Sequence, residues 1–253
     1  MTDMKRQNVF RLFGICVALS LITNLPSGFT NSSVNTAVDE IRLFIRESYA
    51  RRGWILSDTI ESVIRSATFN CWFICAIFSS FASPYITDTY GRRFSYFSSN
   101  AIMTLAAGIQ FLGSVFYLPE LLIIGRSMAA FVSPLSDASL ILYIQESTPV
   151  TYRATFSFLG EIGYGLAAVL GMILGMRNVL GDSLSKLLFY SILPGIPFML
   201  FLFFIPETPK FLMIVKKDRS AALKSLEFFQ GKKVKMNECL MNLLLKDHMT
   251  YMI

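Results

Sequence analysis

Six long apolar segments dominate this chain and leave few folds open to it. A membrane-spanning helix needs roughly 20 largely apolar residues. A soluble core would explain one or two such segments, but not six that only short polar joints separate. Because backbone groups inside lipid must hydrogen-bond within the protein, each segment is predicted to be a helix and the chain an all-α polytopic membrane protein. The predicted spans are 10–29, 66–87, 94–117, 121–144, 156–176 and 187–205.

The spans divide the chain into three parts: an N-terminus at 1–9, a six-span bundle at 10–206 and a tail at 207–253. The segment from about 30 to 65 is the first outer loop, and its acids nearly balance its arginines. The tail contains amphipathic helical pieces. Lysine and arginine are richer on the side of both termini, which predicts that both are cytoplasmic. We expect a multi-pass protein of the plasma membrane, in contact with the lipid bilayer.

The net charge of +6 is explained by this orientation, and no basic-aromatic pattern indicates binding to nucleic acid. The four cysteines are Cys16, Cys71, Cys75 and Cys239. Cys71 and Cys75 lie one helical turn apart, but without nearby histidine or acidic partners they indicate apolar packing more than a metal site. With no nucleotide loop, metal cluster or catalytic triad, the sequence predicts no enzyme, no cofactor and no metal.

Three joints on the cytoplasmic side carry recognisable motifs. Spans two and three meet at Asp-Thr-Tyr-Gly-Arg-Arg, where a glycine suits a tight turn because it takes a positive φ at little cost. Span four begins with Gly-Arg and is followed by Glu-x6-Arg. Span six ends in Pro-Glu-Thr-Pro-Lys-Phe-Leu. The residues in question are Asp88, Gly91, Arg92, Arg93, Gly125, Arg126, Glu146, Arg153, Pro206, Glu207, Pro209 and Phe211.

On these motifs the chain resembles the sugar porter branch of the major facilitator superfamily, near the facilitative glucose transporters. The resemblance extends to about residue 235 and corresponds to the amino-terminal half of a twelve-span transporter. It implies six transmembrane helices forming the N-terminal bundle, with short cytoplasmic helices after the sixth span. It also implies a hexose-like solute, bound near the bilayer midplane between two bundles and moved by alternating access.

The resemblance further assigns roles at the cytoplasmic joints. Asp88, Arg92, Glu146, Arg153 and Glu207 are expected to form ion pairs and helix-end contacts that close the inner side. Gly91 and Arg93 belong to the same gate motif. Several departures from the family pattern occur nearby, among them Pro84, Thr89, Ala154 and Lys210.

Polar residues within spans are candidates for binding the solute. Glu161 falls where the family has a sugar-binding glutamine, and Asp137 replaces an uncharged position. Thr30 stands where proton-coupled relatives carry an aspartate that faces the arginine of span four, here Arg126. Because Thr30 does not titrate, it favours facilitated movement, an argument that Glu161 and Asp137 weaken.

Three functions remain open from the sequence. The first is a sugar-type transporter present as a half-length or truncated form, which would pair with a C-terminal half or with itself. The second is a non-transporting homologue that binds or regulates a full-length transporter, and the third an organic-ion transporter of the same superfamily. Gly171-x3-Gly175 permits close helix packing, either inside the bundle or in a homodimer. The sequon at Asn31 is expected to lie too deep in span one to be glycosylated.

Overall fold

The computed structural model describes residues 6–231, which fold into helices joined by short turns; within this range no residue is in a strand. The predicted all-α class is therefore confirmed. The helices are α1 Arg6–Thr36, α2 Val38–Arg51, α3 Asp58–Tyr90, α4 Arg92–Val115, α5 Pro119–Ser147, α6 Val150–Leu174, α7 Leu184–Ile192, α8 Gly195–Phe204, α9 Pro209–Ile214 and α10 Arg219–Gln230.

Five helical segments in the described part of the chain are long and apolar enough to cross a membrane: α1, α3, α5, α6 and the pair α7–α8. The last of these is interrupted at Leu193 and Pro194, where α7 ends and α8 begins. Proline carries no N–H and cannot continue the hydrogen-bond ladder of the preceding helix. Pro134, in contrast, lies inside α5, and α5 runs continuously past it.

The third predicted span, α4, differs from the others in composition. Its 24 residues extend about 36 Å at 1.5 Å per residue, which exceeds the thickness of a bilayer core of roughly 30 Å. Asn100 and Gln110 are buried on this helix, together with several serines. These polar side chains face the protein interior, so α4 is less apolar than its neighbours although it is long enough to span.

Glycines set the closest contact between α1 and α6. A Cβ atom at Gly171 would lie 2.9 Å from the Phe29 carbonyl oxygen, and one at Gly175 would lie 2.8 Å from the Ser33 carbonyl oxygen. The glycine pair of α6 therefore packs inside the bundle, against the backbone of α1. This use of the pair leaves it unavailable for the homodimer that the sequence also allowed.

The first outer loop contains a helix that sequence analysis did not predict. Helix α2 lies over the outer end of the bundle, where Glu61 accepts hydrogen bonds from Arg42, at 2.7 Å, and from Arg46. The Glu61 side chain is only 4% exposed. Arg52 makes a two-pronged contact with Glu120 at 2.6 and 2.8 Å. The buried face of α2 consists of Ile41, Phe44, Ile45 and Ser48.

The contact between α1 and α6 predicts the effect of a single methyl group. Gly171→Ala should lower the free energy of unfolding by about 1–2 kcal/mol, because overpacking a tight contact usually costs about 1–3 kcal/mol and the helix propensity of alanine returns part of that cost. Thermal unfolding in detergent measures the change. Gly165→Ala is the matched control on the same helix, since a Cβ there meets no atom within 4 Å; equal effects of the two substitutions would contradict the packing.

Candidate functional site

A cavity of about 810 Å³ opens along one side of the bundle. Residues of α1, α5 and α6 line it, and its wall combines apolar side chains with convergent polar groups, as solute sites usually do. The lining residues are Asn24, Asp137, Leu140, Ile141, Gln145, Val150, Arg153, Ala154, Ser157, Phe158, Gly160, Glu161 and Tyr164.

Two carboxylates and one guanidinium face this cavity. Asp137 of α5 is half-buried and Glu161 of α6 is exposed, and both acids line the same cavity. None of the ion pairs among residues 6–231 includes Asp137, Glu161 or Arg153. Arg153 is half-buried and its Nε atom has no hydrogen-bond partner. The cavity therefore offers both signs of charge to a bound molecule.

Hydrogen bonds behind the cavity wall fix its shape. Asn24 of α1 donates from Nδ2 to the Gly160 carbonyl oxygen of α6 at 2.9 Å. Deeper in the bundle, the Thr23 and Tyr96 hydroxyls are 2.5 Å apart, and Tyr96 donates to the Leu19 carbonyl oxygen at 2.5 Å. Asn24 thus couples α1 to α6, while Thr23 and Tyr96 couple α1 to α4.

The other two candidate binding residues lie away from the cavity. Thr30 of α1 is 4% exposed, and Arg126 of α5 is completely buried. The Arg126 Nε donates to the Thr68 carbonyl oxygen of α3 at 2.8 Å. The structure therefore brings Asp137 and Glu161 together with Arg153, and it places Thr30 and Arg126 in the interior of the bundle.

A second polar site, the charge cluster, lies at the end of the bundle that the sequence predicts to be cytoplasmic. We define it as Asp88, Arg92, Arg93, Glu146, Glu207 and Thr208. The Arg92 guanidinium at the start of α4 lies 3.2 Å from Asp88 Oδ1 and 3.0 Å from Glu146 Oε1. Thr208 Oγ1 donates to Glu146 Oε2 at 2.6 Å. Because the Arg92 and Glu146 side chains are 9% and 6% exposed, little water screens their attraction.

Glu207, in the loop between α8 and α9, places its carboxylate at the N-terminus of α4. Its carboxylate accepts the Arg93 backbone N–H at 3.0 and 3.1 Å and the Thr208 backbone N–H at 2.9 Å. A negative charge is favourable at a helix N-terminus, where backbone N–H groups have no partner within the helix. Gly91, with φ of 100°, makes room for this carboxylate, since a Cβ there would lie 2.5 Å from Glu207 Oε2.

Helix α10 is hydrogen-bonded to the charge cluster and to the end of α5. Ser225 donates to the Glu207 carbonyl oxygen at 2.5 Å. Gln230 donates from Nε2 to the Ser147 carbonyl oxygen at 3.1 Å and accepts a bond from Asn8 on its own carbonyl oxygen at 3.2 Å. The end of α10 is therefore joined to the start of α1 and to the end of α5.

The sequence motifs marked most of the charged members of this cluster but not their neutral partners. No motif predicted the hydrogen bonds of Thr208 and Ser225, although Thr208 directly follows Glu207 in the span-six motif. Arg153 lies apart from the cluster and contributes to the cavity wall instead.

A family model for "Sugar (and other) transporter" proteins matches residues 15–244. The chain belongs to this family. Among similar proteins are "Solute carrier family 2, facilitated glucose transporter member 3" of Gallus gallus, 25% identical over 91% of this chain and 47% of the relative. Member 5 of the same series from Homo sapiens is 25% identical over 81% of this chain and 41% of the relative. The chain spans about half the length of the curated relatives it matches.

Solved structures of a xylose transporter have the same fold as this chain. The proton:xylose symporter XylE, bound to 6-bromo-6-deoxy-D-glucose, superposes with a TM-score of 0.75 at 14% identity over 92% of this chain and 53% of that one. The inward open conformation of the xylose transporter XylE from E. coli gives a TM-score of 0.70 at 16% identity over 92% of this chain and 55% of that one. The major facilitator fold is thereby confirmed, and the chain is an integral, multi-pass membrane protein of a transporter family.

The buried position of Glu207 predicts a pH dependence of stability. Burial raises the pKa of Glu207 above its ordinary value of 4.5, and the backbone N–H groups of Thr208 and Arg93 offset only part of this shift. Since the folded protein then holds the proton more tightly than the unfolded chain, this contribution to stability is complete below the ordinary pKa. It is lost as the pH rises through the raised pKa.

Comparing the protein with Glu207→Gln isolates this contribution, because the amide does not titrate. The unfolding midpoint of the unaltered protein, measured relative to that of the variant, should fall as the pH rises from about 4 to 8. Thermal scans in detergent at fixed ionic strength give the difference at each pH. A difference that stays constant over this range would mean that the Glu207 carboxyl is not perturbed by burial.

Proposed function

We propose that this chain forms the N-terminal bundle of a transporter that moves a sugar-like solute across the plasma membrane by alternating access. The observation that carries the proposal is the cavity beside α1, α5 and α6, which opens on the face of the bundle that no helix of the described residues covers. Asn24, Asp137 and Glu161 supply donors and acceptors there, and sugar hydroxyls are recognised by groups of this kind. The charge cluster then closes the cytoplasmic end.

A second six-helix bundle completes the site in this proposal. The outward side of α6 exposes large apolar residues, among them Phe158, Ile162 and Leu166. In a membrane such a surface faces either lipid or another protein. A polar cavity beside it should not open to lipid, because polar groups are costly there, so a protein partner fits this face better. A second copy of this chain would place the carboxylates of Asp137 and Glu161 opposite their own equivalents, and like charges repel. We therefore favour a C-terminal type of bundle over self-association.

Facilitated movement, with both termini in the cytoplasm, fits the residues best. Thr30 cannot carry a proton, and its side chain is buried away from the cavity. The carboxylates of Asp137 and Glu161 are the groups that proton coupling would have to use. Uptake that collapses when a proton ionophore is added would overturn facilitated movement. The orientation would be overturned if an antibody outside intact cells reached an epitope at either terminus.

Uptake of labelled hexose in transport-deficient cells tests the proposal directly. The chain is expressed alone and together with a separately supplied C-terminal six-span half of a facilitated glucose transporter. We expect uptake above background in the second case, because the cavity then has both walls. Arg92→Ala, checked for equal surface expression, is the control that should lose uptake through failure of the charge cluster. If uptake stays at background with every supplied half, the chain is a non-transporting homologue.

Glu161→Gln tests the role of the cavity carboxylate. The amide keeps an acceptor and adds donors for hydroxyl groups, so hexose binding should remain within about threefold or become tighter, a change of less than about 0.7 kcal/mol on the affinity scale. Binding of labelled hexose to membranes measures the effect, and Glu47→Gln, on the exposed side of α2, is the matched control. Loss of binding in Glu161→Gln alone would show that the solute requires the carboxylate.

A further inference from the structure

Arg126 is a fully buried cation that no acid neutralises. It is 0% exposed, and none of the ion pairs among residues 6–231 includes it. Its Nη1 atom has no hydrogen-bond partner. Buried charges in proteins are normally paired, because taking an ion out of water costs several kcal/mol. Since Arg126 is enclosed within this bundle already, a second bundle packed on the open face would not reach it.

One turn of α3 surrounds the Arg126 guanidinium. The Thr68 carbonyl oxygen accepts its Nε at 2.8 Å. The rings of Phe69 and Trp72 lie with their centroids 5.9 and 5.8 Å from Arg126 Cζ, within the range of cation–π attraction. These neutral groups pair the Nε–H donor and cover part of the guanidinium. None of them carries a negative charge.

The remaining neighbour on this turn is a thiol. Cys71 donates from Sγ to the same Thr68 carbonyl oxygen, at 3.3 Å, so the sulfur and the guanidinium are bound to one oxygen atom. Because both groups are hydrogen-bonded to this one oxygen, the Cys71 sulfur and the Arg126 guanidinium are neighbours. Cys71 is half-buried, which leaves its sulfur open to a small molecule.

We propose that Cys71 is a modification site: a thiol that the buried Arg126 guanidinium activates toward small, uncharged electrophiles. The attacking species in thiol chemistry is the sulfur anion, and neighbouring arginine side chains stabilise it. Here the guanidinium, which has no counter-charge among residues 6–231, supplies that stabilisation from a position shielded from water. Electrostatic interactions are strong there. Negative charge that develops on the sulfur in turn supplies the counter-charge that Arg126 lacks.

The reaction with a maleimide illustrates the chemistry and gives the probe. The Cys71 sulfur adds to one carbon of the maleimide double bond, so that a C–S bond forms and the carbon–carbon π bond breaks. The thiol loses one proton and the adjacent carbon gains one, so the number of protons is unchanged. Nothing leaves, and no oxidant or reductant takes part.

Cys75 is the matched comparison for Cys71. It lies one turn further along the same helix and is half-buried in the same way, but it has no hydrogen bond to the Thr68 carbonyl oxygen that binds Arg126. Two proteins are prepared from the full chain: one keeps only Cys71, through Cys16→Ser, Cys75→Ser and Cys239→Ser, and the other keeps only Cys75. N-ethylmaleimide, which is small and uncharged, is applied at pH 7 in detergent and in membranes.

We expect alkylation of Cys71 to run roughly three- to tenfold faster than that of Cys75, because a neighbouring cation favours the attacking sulfur anion while a stabilised anion is a weaker nucleophile. Arg126→Gln should reduce the rate at Cys71 to that of Cys75 and leave the rate at Cys75 unchanged. Equal rates at the two thiols, or a fast reaction at Cys71 that survives Arg126→Gln, would overturn the proposal.

A second measurement does not depend on whether the Arg126 variant folds. The unaltered chain is treated with less than one equivalent of N-ethylmaleimide, and fragmentation spectra of the peptide between Arg65 and Arg92 assign the label to Cys71 or Cys75. The proposal requires that Cys71 takes up the larger share by the same three- to tenfold factor. An even distribution between the two sulfurs would refute the activation by Arg126.

Discussion

The Arg92 guanidinium holds together the parts of this bundle that lie furthest apart in the sequence. It begins α4, contacts Asp88 at the end of α3 and Glu146 at the end of α5, and through Glu146 reaches Thr208 before α9. Removal of one partner from such a buried pair leaves an uncompensated charge, which is more costly than the pair is stabilising. The cluster therefore acts as a unit. In the proposed transport cycle, its position at the end of the bundle would let each charged group exchange its partner for water.

Hydropathy and a few motifs predicted most of the fold, and the failures have a common physical origin. Long apolar runs identify helices whose lipid-facing side is extensive, as in α3, because nothing but helix satisfies the backbone in lipid. Helix α2 was missed since its charges dominate its composition; the apolar spacing of Ile41, Phe44 and Ile45 was the available signal. Helix α4 was predicted, yet its buried polar residues show that apolarity measures contact with lipid more than it measures burial.

The candidate sites were predictable where a residue acts through local backbone geometry. Gly91 is the example, since a positive φ is a property of a short segment. Glu207 is not, because it binds the backbone of Arg93, which lies far away in the sequence. The partners of charged side chains depend on how distant helices are rotated about their axes, which one sequence does not specify. For this reason the place of Arg153 in the cavity wall and the hydrogen bond of Ser225 to the loop before α9 were not predicted.

The two buried arginines solve the same electrostatic problem in opposite ways, and the difference indicates where the bundle can move. Arg92 is neutralised by carboxylates near water, so its contacts can break without leaving a charge in an apolar medium. Arg126 is held by a carbonyl oxygen and two aromatic rings, and separating it from them would expose an unpaired cation to the protein interior or to lipid. The contact of α3 with α5 at Arg126 is therefore expected to stay intact when the cluster around Arg92 opens, so that these helices move as one rigid unit.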